Sequence, residues 1–99
     1  MIRDPRYGAV KALIESGHIK SIQDIFQFIP KTTIYRELGI NFNRFVRAIV
    51  DPSIFRMGEL VKLAEIFEVD PKRMIDMAYE QSATVVRKNQ KRATAKTNN

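Results

Sequence analysis

The sequence predicts an all-α domain of five to six short helices. Apolar residues recur every three or four positions along most of the chain, the spacing that places them on one face of a helix. Proline and glycine residues divide these periodic stretches into short segments. Because Val85 and Val86 are the last large apolar residues, we expect a folded domain over residues 1–81 and a basic, disordered tail over residues 82–99.

The first two helices are predicted over residues 5–16 and from Ser21 to about residue 29. Pro5 suits the first turn of the leading helix, and Ser16-Gly17 suits its end. In the second helix, Ser21 and the acidic residue three positions later form a weak capping box. Its apolar face comprises Ile22, Ile25, Phe26 and Ile29.

A third helix that starts near Lys31 and a fourth over residues 41–50 meet at a tight turn, Leu38-Gly39-Ile40-Asn41. Glycine readily adopts the positive φ that such a turn needs, and Asn41 can cap the helix that follows. The buried face of the fourth helix is predicted to comprise Phe42, Phe45, Val46 and Ile49. Helix, glycine turn and capped second helix is the pattern of a DNA-binding helix-turn-helix motif over residues 31–50.

Two further helices are predicted after the break at Asp51-Pro52-Ser53. The apolar spacing indicates a fifth helix over about residues 57–68. Asp70-Pro71 combines an N-cap with a proline at the first helical position, which predicts the start of a sixth helix. The buried residues expected in these two helices are Leu60, Leu63, Ala64, Phe67, Met74, Ile75 and Ala78.

Positive charge is concentrated in two places. Residues 1–80 contain twelve basic and eleven acidic residues, whereas residues 81–99 contain five basic residues and no acidic one. Within residues 31–58, five basic residues face only two acidic ones, Glu37 and Asp51. The motif and the tail therefore carry the excess charge, which favours a polyanionic partner, with nucleic acid ahead of a membrane surface.

Several classes of protein are disfavoured. The absence of cysteine excludes disulfides and thiolate zinc sites, and it fits a reducing cytoplasm. The amino-terminal residues lack the apolar stretch of a signal peptide, and no apolar run is long enough to span a membrane. No phosphate-binding loop or nucleophile–base pattern occurs, and His18 has no accompanying ligand set. We therefore expect a cytoplasmic protein without enzymatic activity, cofactor or metal.

The run from Leu60 to Pro71, followed by Met74-Ile75, resembles the closing segment of phage-repressor helix-turn-helix domains of the Xre/Cro type. Leu38-Gly39-Ile40 resembles the central turn of the same family. The resemblance covers roughly residues 20–78 and implies a compact lambda-repressor-like fold. It also implies a repressor-type transcriptional regulator, encoded by a bacterium or a phage and associated with the nucleoid.

On this interpretation, the helix over residues 41–50 enters the major groove of double-stranded DNA with its amino-terminal residues first. The expected base contacts are Asn43, Arg44 and Arg47. The expected phosphate contacts are Lys31, Thr32, Thr33, Arg36 and Arg56. The tail would add non-specific contacts through Arg87, Lys88, Lys91, Arg92 and Lys96. The alternative is that the arginines of the motif only form a solvated helix face and contact no DNA.

Two other functions fit the same residues. One is an adaptor that keeps the helix-turn-helix fold but binds a protein, like an antitoxin or a polymerase-binding factor; exposure of Phe28 or Phe55 would favour it. The other is non-specific nucleic-acid binding driven by the tail. Because a single domain makes few base contacts, a homodimer is also expected, through either the leading or the last helix.

Overall fold

The computed structural model describes the backbone of residues 4–97 and the side chains of residues 4–88, and this part of the chain contains no strand. Six α-helices follow one another, with a 3-10 helix between the fourth and the fifth. They are α1 (Pro5–Glu15), α2 (Ile22–Ile25), α3 (Lys31–Leu38), α4 (Phe42–Val50), the 3-10 helix (Pro52–Ile54), α5 (Met57–Phe67) and α6 (Pro71–Thr97). The prediction of an all-α fold is thereby confirmed.

The predicted caps form at the starts of α2 and α6. The hydroxyl of Ser21 accepts a hydrogen bond from the backbone N–H of Asp24 at 3.1 Å. The carboxylate of Asp70 accepts one from the N–H of Lys72 at 2.9 Å, and Pro71 occupies the first helical position. Each cap satisfies one of the N–H groups that the first turn of a helix leaves without an internal partner.

The second helix is shorter than predicted. It ends at Ile25, and the chain continues in turns through Phe28. Ile29 is nevertheless buried, as the apolar pattern indicated. A proline at the next position disfavours the helical conformation for Ile29, which explains why the helix cannot extend to residue 29.

The last helix is longer than predicted. Its backbone continues from Pro71 to Thr97, so the boundary at residue 82, beyond which a disordered tail was expected, is not a helix end. The sequence after Pro71 contains no further proline or glycine, and nothing in it interrupts the i to i−4 hydrogen bonds. The division into a folded domain over residues 1–81 and a basic tail over residues 82–99 stays a prediction.

The core lies around α5, which packs against α1, α3 and α6. Leu63 and Ala64 of α5 are fully buried. The rings of Tyr7 in α1 and Phe67 in α5 meet edge to face, with their centroids 5.7 Å apart. The hydroxyl of Tyr7 donates a hydrogen bond to the carboxylate of Glu37 in α3 at 2.6 Å. The leading helix is therefore attached to the helix that begins the predicted motif.

One glutamine of α6 joins three helices. The Oε1 atom of Gln81 accepts hydrogen bonds from the N–H groups of Ile22 (3.0 Å) and Gln23 (3.3 Å) in α2. Its Nε2 atom donates to the carbonyl oxygens of Ile49 (2.6 Å) and Val50 (3.1 Å) at the end of α4. These are groups that a helix leaves unpaired at its two ends. A single amide therefore caps the start of α2 and the end of α4.

Replacing Gln81 by Glu tests these hydrogen bonds, because the two side chains have nearly the same size. The variant keeps the acceptor for α2, loses the donor for α4, and places a negative charge beside the carbonyl end of a helix. We expect the free energy of unfolding to fall by about 2 kcal/mol at pH 7. Urea denaturation followed by circular dichroism measures the change. The control is Gln27→Glu, since Gln27 is exposed. Equal losses of stability in the two variants would show that the hydrogen bonds of Gln81 do not stabilise the fold.

Candidate nucleic-acid interface

The turn between α3 and α4 depends on one glycine. Gly39 ends α3 with φ of 75°, in the left-handed region that other residues rarely adopt. Its N–H bonds to the carbonyl oxygens of Tyr35 and Arg36. Two residues later, the side chain of Asn41 accepts hydrogen bonds from the N–H of Asn43 at 2.9 Å and of Arg44 at 3.3 Å. The second helix thus starts at a defined residue, immediately after the turn.

The inner face of α4 is fixed by an aromatic cluster centred on Phe45, which is fully buried. Its ring lies 5.4 Å from that of Phe26, 6.2 Å from that of Phe55 and 6.4 Å from that of Tyr35, measured between centroids. The first two pairs meet edge to face, the arrangement that aromatic quadrupoles favour. Phe45 therefore determines which side of α4 faces outward.

The outward face of α4 carries Asn43, Arg47 and Val50, spaced four and three residues apart. Neither Asn43 nor Arg47 uses its side chain in a hydrogen bond or ion pair with another described residue. Val50 is 53% exposed, and Phe42 at the start of the helix is 38% exposed. The outward face therefore combines two unpaired polar groups with one exposed apolar residue, and Phe42 lies at its edge.

The exposure of Phe42 differs from the predicted buried face. Ala48 is fully buried in α4, while Phe42 is exposed and Val46 is half-buried. The predicted buried face was wrong at Phe42, and it omitted Ala48 because a small side chain adds little to an apolar pattern although it is fully buried here. The ring of Phe42 instead packs edge to face on Tyr35 of α3, at 4.9 Å.

Arg44, expected to contact a base, is turned toward the scaffold. Its guanidinium forms a two-pronged ion pair with the carboxylate of Glu59 in α5, and Nη1 lies 2.9 Å from Oε1. The same Nη1 donates to the carbonyl oxygen of Ile54 at 3.3 Å. The side chain is only 27% exposed. Arg44 therefore attaches α4 to the 3-10 helix and to α5, instead of leaving a free cation on the outward face.

Glu59 also accepts a hydrogen bond from the N–H of Arg56 at 2.9 Å, so it caps the start of α5 while it holds Arg44. The hydrogen bonds from Arg44 are the main cause that lowers the pKa of the Glu59 carboxyl below its ordinary value of 4.5, and the contact with the Arg56 backbone adds to the effect. The carboxyl therefore stays ionised throughout the physiological range.

The residues expected to contact phosphates lie on α3 and at the start of α5. Lys31 and Thr32 are exposed in the first turn of α3, and Thr33 is half-buried. Arg36 is exposed at the other end of α3, with its guanidinium 5.8 Å from the ring centroid of Tyr35. Arg56 is exposed next to the Glu59 contact that reaches α4. The fold thus brings Arg56 toward α4, whereas Lys31 and Arg36 stand at opposite ends of α3.

The basic residues after residue 81 are only partly described. Arg87 and Lys88 are exposed on α6. Lys88 lines a groove of about 440 Å³ together with Lys20 and with Val50 at the end of α4. The side chains of Lys91, Arg92 and Lys96 lie outside the described residues. Part of the predicted tail charge is therefore placed near the carboxyl end of α4.

Comparisons with protein-family models, with curated proteins and with solved structures found no match to this chain. Among the described residues, no group of three or more His, Cys, Asp or Glu side chains could hold a metal ion. The helices of the described region also include none that is long and apolar enough to cross a membrane.

The ion pair between Arg44 and Glu59 predicts a pH dependence of stability. Since folding lowers the pKa of Glu59, the pair stabilises the fold fully above pH 4.5 and loses this effect as the pH falls through the lowered value. Glu59→Gln should therefore be less stable than the wild type at pH 7, and the difference should shrink on acidification. Thermal melts at a series of pH values measure it.

Glu65→Gln is the matched control for this experiment, because Glu65 is exposed on the same helix and makes no ion pair within the described region. Its stability difference from the wild type should stay small at every pH. A difference for Glu59→Gln that does not change with pH would mean that the ion pair contributes nothing.

Proposed function

We propose that the protein is a DNA-binding transcriptional regulator in which α3 and α4 form a helix-turn-helix and α4 enters the major groove. The observation that carries the proposal is the construction of α4. One face is buried around Phe45, the start is capped by Asn41 after a left-handed glycine, and the opposite face presents unpaired Asn43 and Arg47. A lambda-repressor-like arrangement of the whole domain is part of the same proposal.

The chemistry of the outward face suits base edges. An asparagine side chain can donate and accept at once, which matches adenine, and an arginine matches the two acceptors of guanine. Because Arg47 has no acidic partner among the described residues, it would not have to break an ion pair to bind DNA. Arg44 does have such a partner, so we assign it the role of holding α4 in place and assign base contacts to Asn43 and Arg47.

The exposed ring of Phe42 gives a further reason. An apolar side chain at the leading end of a recognition helix is exposed to water in the free protein, and it can contact the methyl group of thymine in the major groove. Phe42 is held there by Tyr35 and does not fold back into the core. Loss of water from this ring on binding would favour the complex.

The charge distribution supports phosphate contacts around this face. Lys31 and Arg36 are exposed on α3, and Arg56 is exposed immediately before α5. Arg87 and Lys88 extend the positive charge along α6. Such contacts position a protein on the duplex without reading its sequence. They would make binding strongly dependent on salt concentration.

A protein-binding adaptor is the second candidate, because Phe28 is 47% exposed in the turn after α2. Phe55, the other aromatic residue considered for such a patch, is 93% buried and packs against Phe45. A single exposed ring is a small contact surface. The adaptor would be preferred if the protein bound no duplex DNA at low salt.

Selection from a random DNA library, followed by binding measurements on the enriched site, tests the proposal. We expect one enriched motif, and we expect Arg47→Ala to weaken binding to it by about 1–3 kcal/mol and to relax the preference at one or two base pairs. The control is Lys62→Ala, which removes a charge from the exposed side of α5. Equal enrichment of all sequences, or equal effects of the two variants, would contradict base reading by Arg47.

Replacing thymine by uracil at each position of the enriched site tests Phe42. The substitution removes only the methyl group, so it should weaken wild-type binding at one position, by roughly 1 kcal/mol. Phe42→Ala should bind the two sites equally. Val50→Ala provides the comparison, since it shortens another exposed apolar residue of α4 at the opposite end of the helix. No thymine-to-uracil effect at any position would show that the ring does not contact a methyl group.

A further inference from the structure

One side of α6, next to the face that packs on the core, carries exposed apolar side chains. Ile75, Tyr79, Ser82 and Val86 are spaced four, three and four residues apart, so they form one stripe along three turns of the helix. Ile75 is half-buried and packs against the core, and Ser82 is also half-buried. Tyr79 is 70% exposed and Val86 is 53% exposed. Exposed large apolar side chains that share one helix face are unusual on a monomer.

A groove runs beside this stripe, between α6 and the start of α5. Its volume is about 270 Å³, and Ile75, Tyr79 and Ser82 form one wall. The opposite wall includes Met57, which is 60% exposed. Methionine is flexible and adapts to a partner surface, which makes it common at binding sites. The stripe and Met57 together form one continuous apolar surface, referred to below as the α6 face.

We propose that the α6 face binds the same face of a second copy of this chain, with the two α6 helices antiparallel. The register pairs Ile75 with Val86 of the second copy and Tyr79 with Ser82 of the second copy. Two-fold symmetry repeats both pairs. The largest side chain of the stripe then lies opposite the smallest, which allows the helices to approach closely. This inference is independent of any binding to DNA.

Charge supports the antiparallel direction. Asp76 and Arg87 lie on the same flank of the α6 face. In the antiparallel register, Asp76 is level with Val85 of the second copy, two residues from Arg87 of that copy. The long arginine side chain can span this offset, once on each side of the axis. Neither side chain has a hydrogen bond or ion pair with another described residue of its own chain. Both are exposed and remain available for the contact.

Parallel pairing is disfavoured by the same residues. It would place Tyr79 against Tyr79 of the second copy. It would also put the flank that carries Asp76 and Arg87 on opposite sides of the interface in the two copies, so the opposite charges could not meet. A different protein could also cover an apolar surface of this kind, but self-complementarity in size and in charge is the property that a two-fold interface requires.

The size of the α6 face sets the strength of the dimer. Four residues of the stripe and Met57 contribute from each copy, fewer than the roughly 20–30 residues per side of a standard interface. The dimer is therefore weak and depends on protein concentration. Because the dimer is weak, loss of one contact across the interface should convert most of the dimer to monomer.

Sedimentation equilibrium of the full 99-residue chain tests the proposal. The apparent mass should rise from 11.5 kDa toward twice that value as the concentration increases from about 10 µM to about 1 mM. Val86→Lys should weaken association at least about tenfold. Val50→Lys is the matched control, because both valines are 53% exposed and only Val86 is on the α6 face. Circular dichroism verifies that both variants remain folded.

A charge swap tests the register. Arg87→Asp should weaken association, since it puts two carboxylates together, and the double variant Asp76→Arg with Arg87→Asp should restore it. Restoration is expected only when residues 76 and 87 of different copies are neighbours. The proposal is overturned if the wild type stays monomeric at all concentrations, which would leave the face to a different partner. It is also overturned if the two lysine variants behave alike, or if the double variant is no better than the single one.

Discussion

The position of α4 depends most on the amide of Gln81. One side chain of α6 satisfies N–H groups at the start of α2 and carbonyl groups at the end of α4, so three helices meet at a single planar group. An amide is the side chain that can do this without charge, because it carries a donor and an acceptor on the same carbon. The carboxyl end of α4 is thereby held from one side.

The ion pair between Arg44 and Glu59 holds α4 from the other side, toward α5 and the 3-10 helix. The contact uses a cation that would otherwise lie near the outward face. As a result, α4 is held at its carboxyl end by Gln81, in its middle by Phe45 and along its flank by Arg44. Under the proposed function, Asn43 and Arg47 would need a rigid support of this kind, because small displacements would misalign their hydrogen bonds with a duplex.

The sequence predicted the local features well and the long-range ones poorly. The caps at Ser21 and Asp70 and the turn at Gly39 depend on residues next to each other, and all are present in the structure. Gln81 lies 59 residues from Ile22 along the chain, so no local pattern indicates that contact. The same limit applies to Arg44, which was expected to contact a base because of its position near the start of α4. Its ion pair with a residue fifteen positions away leaves no local pattern in the sequence. The buried face of α4 was partly missed for another reason, since a buried alanine adds little to an apolar pattern and the ring of Phe42 packs on Tyr35 at the edge of the core.

Gln81 and Ser82 are adjacent in sequence and point about 100° apart around α6: the first holds α4, and the second lies in the α6 face. Only the width of one rigid helix therefore separates the anchor of each α4 from the symmetry axis of the proposed dimer. In such a dimer, the two copies of α4 would be held at a fixed distance and in opposite orientations. The matching DNA site would be an inverted repeat, and the spacing between its halves would be set by the protein and not by a flexible linker.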